Sequence, residues 1–452
     1  MRAAGRRRLL ALVPPALIAA AAAVAVAEQA PRPIDLASTL RLAGANAVEV
    51  RIAEERLRAA QAGATVATWQ LLPWVSVGAG YTAHGGLIQD VTGNIVTAEK
   101  HAYAVGPALV ARVDVGDAIF RRLAALQTAT AAEGALASQR QQVLLRAVQG
   151  YLDLLVAQAS AAAAEEALAV ARDYEAQLRR AVEAGIALKG DALRVRVQSQ
   201  RSLLALEQAR QERRVAAARL AELLRLGPAV DLAGRDDELV PLALEAVRAP
   251  APSLVEEALA ARPEVKEAAA GLRAAEETEK GARLGPLVPA VGFQVFAGGL
   301  GGGPEGVASE SGSSRDYVAT IGWRVGPGGL FDVGRTRLAE AHRTEAGWTV
   351  ERVKDLVGRE VVEAQARAQS GERQLTAARE GLAAAREGLE LARQRREFEV
   401  GVVLENVLAL QDEARARQDV ARAVGDYAKA QYALLYALGR LGAAAAAMPV
   451  GP

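Results

Sequence analysis

Four segments of the chain alternate apolar with small or polar residues, which is the period-two pattern of half-buried β-strands. They occupy residues 75–82, 103–113, 291–296 and 317–325. The runs are interpreted as parts of strands about 9–11 residues long, the length of a tilted strand that crosses a bilayer. The pattern therefore predicts two strand pairs, at about 74–113 and 290–325, joined by exposed loops at 85–100 and 298–314.

Aromatic residues flank these alternating runs. Trp74, Tyr81, Tyr103, Tyr317 and Trp323 are expected near the strand ends, where membrane strands carry their interfacial aromatic girdles. Two soluble hairpins packed on helices would also alternate, but they would not need matched lengths and terminal aromatic residues. The membrane interpretation is therefore favoured over the soluble one.

Two proline-free segments predict very long helices. They cover about 117–184 and 336–400, and at about 1.5 Å per residue each would be roughly 100 Å long. Leu375, Leu382 and Leu389 repeat every seven residues, the spacing of coiled-coil packing. Shorter helices are expected at about 188–226 and 404–438, so each long helix would form an antiparallel hairpin with a shorter one.

The whole plan occurs twice along the chain. Residues 49–61 read EVRIAEERLRAAQ and residues 264–276 read EVKEAAAGLRAAE, and each segment leads through a proline into a strand pair. The first repeat is placed at 28–249 and the second at 250–440, with a C-terminal tail at 441–452. The predicted fold class is mainly α with a small β part, made of two structural repeats and four membrane strands.

The N-terminus has the features of a secretory signal peptide, predicted at residues 1–27. Arg2, Arg6, Arg7 and Arg8 precede an apolar run, and an Ala-Val-Ala triplet at 25–27 supplies the cleavage pattern. A retained membrane anchor is the alternative interpretation. The sequence therefore predicts export from the cytoplasm.

Composition excludes several kinds of chemistry. The chain has no cysteine, and its formal net charge of +1 provides no strong field for nucleic acid. His84 and His101 could meet across the first hairpin, but with His342 they are the only histidines, so no metal site is predicted. Neither a nucleophile elbow nor a zinc-protease motif occurs, and we predict no cofactor and no enzymatic activity.

Four membrane strands cannot close a barrel, because small closed barrels need about eight. An open sheet in lipid would leave unpaired backbone groups along both edges, each at a cost of several kcal/mol. Copies of the chain must therefore share one barrel if the strands lie in lipid. The hydrogen-bond argument does not fix the number of copies.

Several motifs carry a resemblance to a known family. They are ARPEV at 261–265, LLP at 71–73, LVP at 287–289 and the junction IGWRVGPGGLFDVGR at 321–335. With these motifs in their order along the sequence, the chain resembles the TolC-like family of outer membrane efflux proteins. The resemblance implies a homotrimer with a twelve-stranded barrel in outer membrane lipid, a helical part in the periplasm, and a periplasmic adaptor and inner-membrane transporter as partners.

The resemblance also suggests where a periplasmic gate would lie, at the two turns that join the helices of each hairpin. The candidates in this chain are Lys189, Asp191, Phe398, Val403, Glu405, Asn406 and Ala409. Few of them are carboxylates, so an apolar constriction is favoured over an acidic one. The expected function is a passive exit duct for efflux or secretion; a periplasmic coiled-coil adaptor and a structural rod without a pore are the alternatives.

Overall fold

The computed structural model describes residues 31–227, 230–235, 241–242, 244–304, 310–397 and 403–446. The expected signal peptide lies outside these residues. The helices are α1 Leu36–Asn46, α2 Val48–Trp69, α3 Val115–Glu183, α4 Lys189–Leu223, α5 Ala251–Ala261, α6 Pro263–Leu284, α7 Val333–Glu397, α8 Val403–Ala437 and α9 Leu441–Ala446. The strands are β1 Arg32–Ile34, β2 Trp74–Gln89, β3 Ile95–Asp114, β4 Leu232–Gly234, β5 Ala290–Pro304 and β6 Glu310–Gly322. The mainly helical class with a small sheet is confirmed.

Two helices, α3 and α7, run for 69 and 65 residues, and each is about 100 Å long. No proline interrupts them, and abundant alanine keeps their intrinsic helix propensity high. Helix α3 ends where Gly185 adopts a φ of +76°, and the Ile186 N–H donates to the Ala181 carbonyl at 2.8 Å. This left-handed C-terminal turn satisfies the last carbonyls and reverses the chain into α4.

The helical segment that opens the first repeat is divided into α1 and α2. Ala47 breaks it with an extended ψ of 128°, and Arg262 breaks α5 from α6 with the same ψ. In α1 the Asp35 side chain caps the helix by accepting a hydrogen bond from the Ser38 N–H at 2.7 Å. The matching breaks show that the two repeats share local geometry as well as element order.

Helix α3 is the centre of the helical part. Its upper half, next to the sheet, lies between α2 and α6, and its lower half lies between α4 and α8. The core therefore contains the apolar side of α3, including Val143, Val148 and Leu154, which are fully buried. By length and composition α3 is apolar enough to cross a membrane, with a mean hydropathy of 1.4 in its best window. Its apolar side chains are explained by its central place among four other helices.

One antiparallel sheet contains β2, β3, β5 and β6 in that order. These strands are 16, 20, 15 and 13 residues long, so the expected length of 9–11 residues is wrong. The expected loops at 85–100 and 298–314 are largely strand, because β2 and β3 stay paired as far as Gln89 and Ile95. Backbone hydrogen bonds extend the ladder through polar and glycine-rich residues that carry no period-two signal.

Candidate functional site

The pairing register places the apolar strand residues on one face of the sheet. Val75 lies opposite Leu109, Leu109 opposite Val295, and Val295 opposite Tyr317. We call this the apolar face. Its members are Val75, Val77, Ala79, Tyr81, Tyr103, Val105, Pro107, Leu109, Ala111, Val113, Val291, Phe293, Val295, Ala297, Tyr317, Ala319 and Ile321. None of these members is charged, so they can contact hydrocarbon at no electrostatic cost; Arg315 lies on the same face, opposite Ala297.

The other face of the same strands carries small and polar residues. We call it the small-residue face, and its lower part comprises Trp74, Ser76, Gly78, Gly80, Ala104, Gly106, Ala108, Val110, Arg112, Asp114, Ala290, Gly292, Gln294, Phe296, Asp316, Val318, Thr320 and Gly322. A cavity of about 670 Å³ lies against it at the base of the sheet. Because the three charged groups of this set lie opposite the apolar face, the small-residue face is the one suited to water.

The aromatic residues occupy two levels of the sheet. Trp74 begins β2, and Trp323 follows β6 and donates its Nε1–H to the Leu287 carbonyl at 3.1 Å. Tyr81 and Tyr103 lie opposite each other in the middle of their strands, and Tyr317 lies in the middle of β6. The expectation that these three tyrosines lie near strand ends is therefore wrong, because the strands are longer than expected.

Tyr81 and Tyr103 nevertheless coincide with the upper limit of the apolar face. Beyond them on the same face come His101 and Glu99 in β3, whereas in β6 the charged Arg315 lies opposite Ala297, level with Pro107 and Val77. The Tyr103 ring covers Gly301 of the adjacent strand, where an added Cβ atom would clash with the ring unless the ring moved. An interfacial role for these tyrosines remains a prediction. It now rests on their position at the limit of the apolar face rather than at the end of a strand.

The first two histidines do not share a site. His84 lies opposite Lys100 and His101 lies opposite Ala83, so the two imidazoles project from opposite faces of the sheet. His342 pairs with Glu345 on α7 at 3.4 Å. Among the described residues no group of three potential metal ligands occurs. The possible meeting of His84 and His101 is therefore wrong, since adjacent positions in a strand alternate in direction.

The described part of the protomer is a layer with two open edges. In the sheet β2 and β6 are the outer strands. Among the helices, α2 and α4 line one side of α3, while α6 and α8 separate α3 from α7 on the other. One edge therefore consists of α2, β2 and α4, which we call the first edge; α7 and β6 form the second edge.

Exposed apolar side chains follow both edges. On α4 they share one side of the helix, since Leu193, Val197, Leu204 and Val215 are separated by nearly whole turns. On α2 the corresponding set is Val48, Ile52, Val66 and Trp69. On α7, Trp348, Val362 and Leu391 project from a common side, and Trp348 is 71% exposed. Such stripes are typical of surfaces that pack against another protein.

The start of α8 lies at the same end of the molecule as the turn between α3 and α4, far from the sheet. Tyr174 and Leu178 of α3, Val195 of α4 and Val407 of α8 form one buried cluster there. The α8 end of the second hairpin is therefore packed on the first hairpin. This arrangement places the start of α8 beside the end of α3 and the start of α4, which sequence spacing alone could not show.

The gate candidates differ in their surroundings. Lys189 is exposed, Asp191 pairs with Arg194 at 3.3 Å, and Glu405 pairs with Arg395 at 2.9 Å. Asn406 is only 3% exposed, and its Nδ2 has no hydrogen-bond partner among the described residues. Ala409 is half-buried. Phe398 and the side chain of Val403 lie outside the described residues.

Comparison with known proteins identifies the family. The sequence model described as "Outer membrane efflux protein" matches residues 39–224 and 254–440, one match in each repeat. The chain belongs to the outer membrane efflux protein family. This family membership confirms the resemblance, the two repeats, the outer membrane location with a periplasmic helical part, and a channel rather than an enzyme.

Solved structures share this fold. The chain is similar to a membrane protein from Pseudomonas aeruginosa, with 22% identity, a TM-score of 0.78 and coverage of 89% of this chain and 90% of that one. The outer-membrane channel OprN shares 23% identity with a TM-score of 0.75, and the match covers 89% of this chain and 89% of that one. The outer membrane protein VceC from Vibrio cholerae shares 17% identity with a TM-score of 0.76, and the match covers 89% of this chain and 96% of that one. A search of curated protein sequences finds no match.

Within this efflux-family fold, two ion-pair clusters escape sequence analysis. Arg262 is 2% exposed and binds Glu264 and Glu360, each at 2.8 Å. Nearer the helical turns, Arg417 of α8 contacts Glu413 on its own helix and Glu166 of α3. The i,i+4 spacing of Glu413 and Arg417 is a signal that sequence analysis could have used. Nothing local indicates the partners from other helices.

Proposed function

We propose that three copies of this chain close head to tail into a passive exit duct through the outer membrane and periplasm. The observation that carries the proposal is the unpaired outer edge of β2 and of β6 in a sheet with one apolar face. Each unpaired backbone group in lipid costs several kcal/mol, so ten would exceed the ~5–15 kcal/mol that stabilises a typical fold. Pairing β6 of one copy with β2 of the next removes both edges, and three copies give twelve strands.

The helical edges support the same closure. In a ring, the second edge of one protomer packs on the first edge of the next, so α7 meets the stacked helices α2 and α4. The exposed stripes on these helices, which include Trp69, Leu204 and Trp348, then become buried. A heterologous contact of this kind closes into a ring only if the rotation between copies closes. The sheet and the helical layer share the same pair of edges, so a single rotation between neighbouring copies would close both the strands and the helices into rings.

The ring would be a conduit rather than a pump. Its small-residue face lines the interior, where short side chains leave room for cargo. As the membership of the efflux family suggests, an inner-membrane transporter coupled through a periplasmic adaptor at the helical turns would drive export. Drugs, metal ions and secreted polypeptides are the cargo classes that such a duct serves.

The helical turns would form the periplasmic gate. Phe398 and Val403 supply apolar groups, while the carboxylates of Asp191 and Glu405 are paired with Arg194 and Arg395. These pairs reduce the negative charge available to line an opening. We therefore propose a gate that closes chiefly by apolar contact between the turns of neighbouring protomers.

Purification from outer membranes followed by planar-bilayer recording tests this function. We expect a native mass of three chains and long-lived conductance steps in symmetric salt. The adaptor and rod alternatives instead predict a water-soluble periplasmic protein without conductance. Recovery of a soluble monomer that forms no conductance would contradict the duct.

A further inference from the structure

The base of the sheet contains an arginine without a countercharge. Arg112 belongs to β3, two residues before the strand ends at Asp114. Its side chain is exposed and forms no ion pair among the described residues. The neighbouring Asp114 is bound by Arg324 at 3.7 Å. The cavity at this level therefore contains two guanidinium groups and one carboxylate.

The register fixes the direction of Arg112. It lies opposite Gly292, and Gly292 lies opposite Thr320, so all three belong to the small-residue face. Arginine on a lipid-facing surface costs about 2–4 kcal/mol at the bilayer midplane. The apolar face, whose defining members carry no charge, takes the lipid side. Arg112 consequently points toward the interior of the proposed ring.

The cavity around Arg112 combines charge with apolar surface. Gln294 and Thr320 offer uncharged polar groups, while Val110 and Val318 offer apolar contact. Its volume of about 670 Å³ is large enough for a small organic molecule. A guanidinium group binds carboxylates and sulfonates through two parallel N–H donors, a geometry that water-exposed lysine does not provide.

We infer that Arg112 is a selectivity residue of the duct, and that each protomer holds amphiphilic organic anions, such as aromatic carboxylates or sulfonates, in the cavity at the base of the sheet. This inference rests on the proposed trimeric duct. Successive copies of Arg112 are four strands apart, about 19 Å along the wall. That distance exceeds the Debye length of about 8 Å at physiological salt, so each protomer acts as a separate site.

Bilayer recording of the full-length trimer in a KCl gradient tests the inference. Arg112→Gln is expected to lower the chloride-to-potassium permeability ratio by about twofold to fivefold, and Arg112→Glu to lower it further. Arg112→Lys keeps the charge and is expected to keep most of the ratio. The effect of Arg112→Gln should nearly vanish in 1 M salt, where the Debye length is about 3 Å.

Arg315→Gln is the matched control, because it removes the same charge from the opposite face of the sheet. Block of the wild-type current by 1-naphthalenesulfonate should weaken in Arg112→Gln and persist in Arg315→Gln. If the channels conduct but all variants share one permeability ratio and one sensitivity to block, the role of Arg112 is wrong while the duct stands. If wild-type protein forms no conductance, the duct itself is wrong and the selectivity role with it.

Discussion

The guanidinium group of Arg262 donates a hydrogen bond to the Glu360 carboxylate at 2.8 Å, and so connects the start of α6 to α7. The same group donates to Glu264 at 2.8 Å, and its plane lies 4.5 Å from the centre of the Tyr436 ring on α8. Arg262 is 2% exposed, so these partners replace nearly all of its water. The buried guanidinium group of Arg262 therefore connects three helices of the second repeat, α6, α7 and α8.

Replacing Arg262 by methionine is expected to destabilise the protein by about 3–5 kcal/mol, because two carboxylates lose their buried countercharge. Circular dichroism of the detergent-solubilised protein during heating measures the loss. The control is Arg248→Met, which breaks a pair of the same length with Glu372 on an 81% exposed side chain. Equal unfolding temperatures for the two variants would contradict the structural role of Arg262.

The Glu267 carboxyl should give the protein a pH-dependent stability. Burial, and then the neighbouring Glu264, raise the pKa of Glu267 above its usual value. A raised pKa in the folded state means that the protonated form stabilises the fold, and that this contribution is lost as pH rises through the folded pKa.

Glu267→Gln therefore should raise the unfolding temperature at pH 7.5 by about 1–2 °C, since the half-buried group contributes less than about 1 kcal/mol. The gain should disappear as the pH falls below the usual glutamate value, where the wild-type carboxyl is also neutral. Thermal unfolding across this pH range provides the comparison. A gain that is equally large in acid would show that the removed charge is not its cause.

Trp348 should be a principal contact between protomers. It is 71% exposed in the protomer and projects from the second edge, away from the core. Burying such a side chain stabilises an interface by about 2 kcal/mol, so Trp348→Glu should reduce the trimer fraction at low protein concentration. Native mass spectrometry reports that fraction. Trp348→Phe retains most of the apolar area and should remain trimeric. A fully trimeric Trp348→Glu would show that Trp348 does not lie in the contact between protomers.

A charge placed at Val403 should loosen the proposed apolar gate. Val403→Asp is expected to increase conductance and leak about severalfold, because like charges from three protomers repel at short range. Leu87→Asp adds the same charge at the far end of the sheet and should leave conductance unchanged. Bilayer recordings and antibiotic sensitivity of cells compare the two variants. Unchanged conductance and sensitivity in Val403→Asp would contradict an apolar closure at this turn.

Local sequence signals located the long helices well. Helix α3 begins and ends within two residues of the proline-free segment 117–184, because no residue in it breaks the helix and Gly185 permits the terminal turn. The strand ends could not be predicted from the sequence, since the ladder between Gly86 and Ala98 is held by backbone hydrogen bonds and shows no alternation of apolar and polar side chains. Because the strands are longer than expected, Tyr81 lies in the middle of its strand. It still lies at the upper limit of the apolar face.

Long-range polar contacts were the least predictable part. Arg262 is followed by Glu264 in the sequence, but its second partner, Glu360, is 98 residues away. Asn406 was named from the resemblance as a gate candidate, yet its burial depends on how α8 packs on its neighbours. One sequence contains no signal for such packing, because many glutamates and arginines occur along these helices with equivalent local spacing.

Disulfide cross-linking between β2 and β6 tests the closure of the ring most directly, because the chain contains no cysteine. Val75→Cys combined with Leu109→Cys joins facing positions of one protomer and is the internal control. Val77→Cys is then combined in turn with Tyr317→Cys, Ala319→Cys or Ile321→Cys, all on the apolar face. Covalent trimers in one of these pairings, in oxidised outer membranes, are the predicted result. Chains that stay monomeric in every pairing, while the internal control forms its disulfide, would contradict a barrel shared between copies.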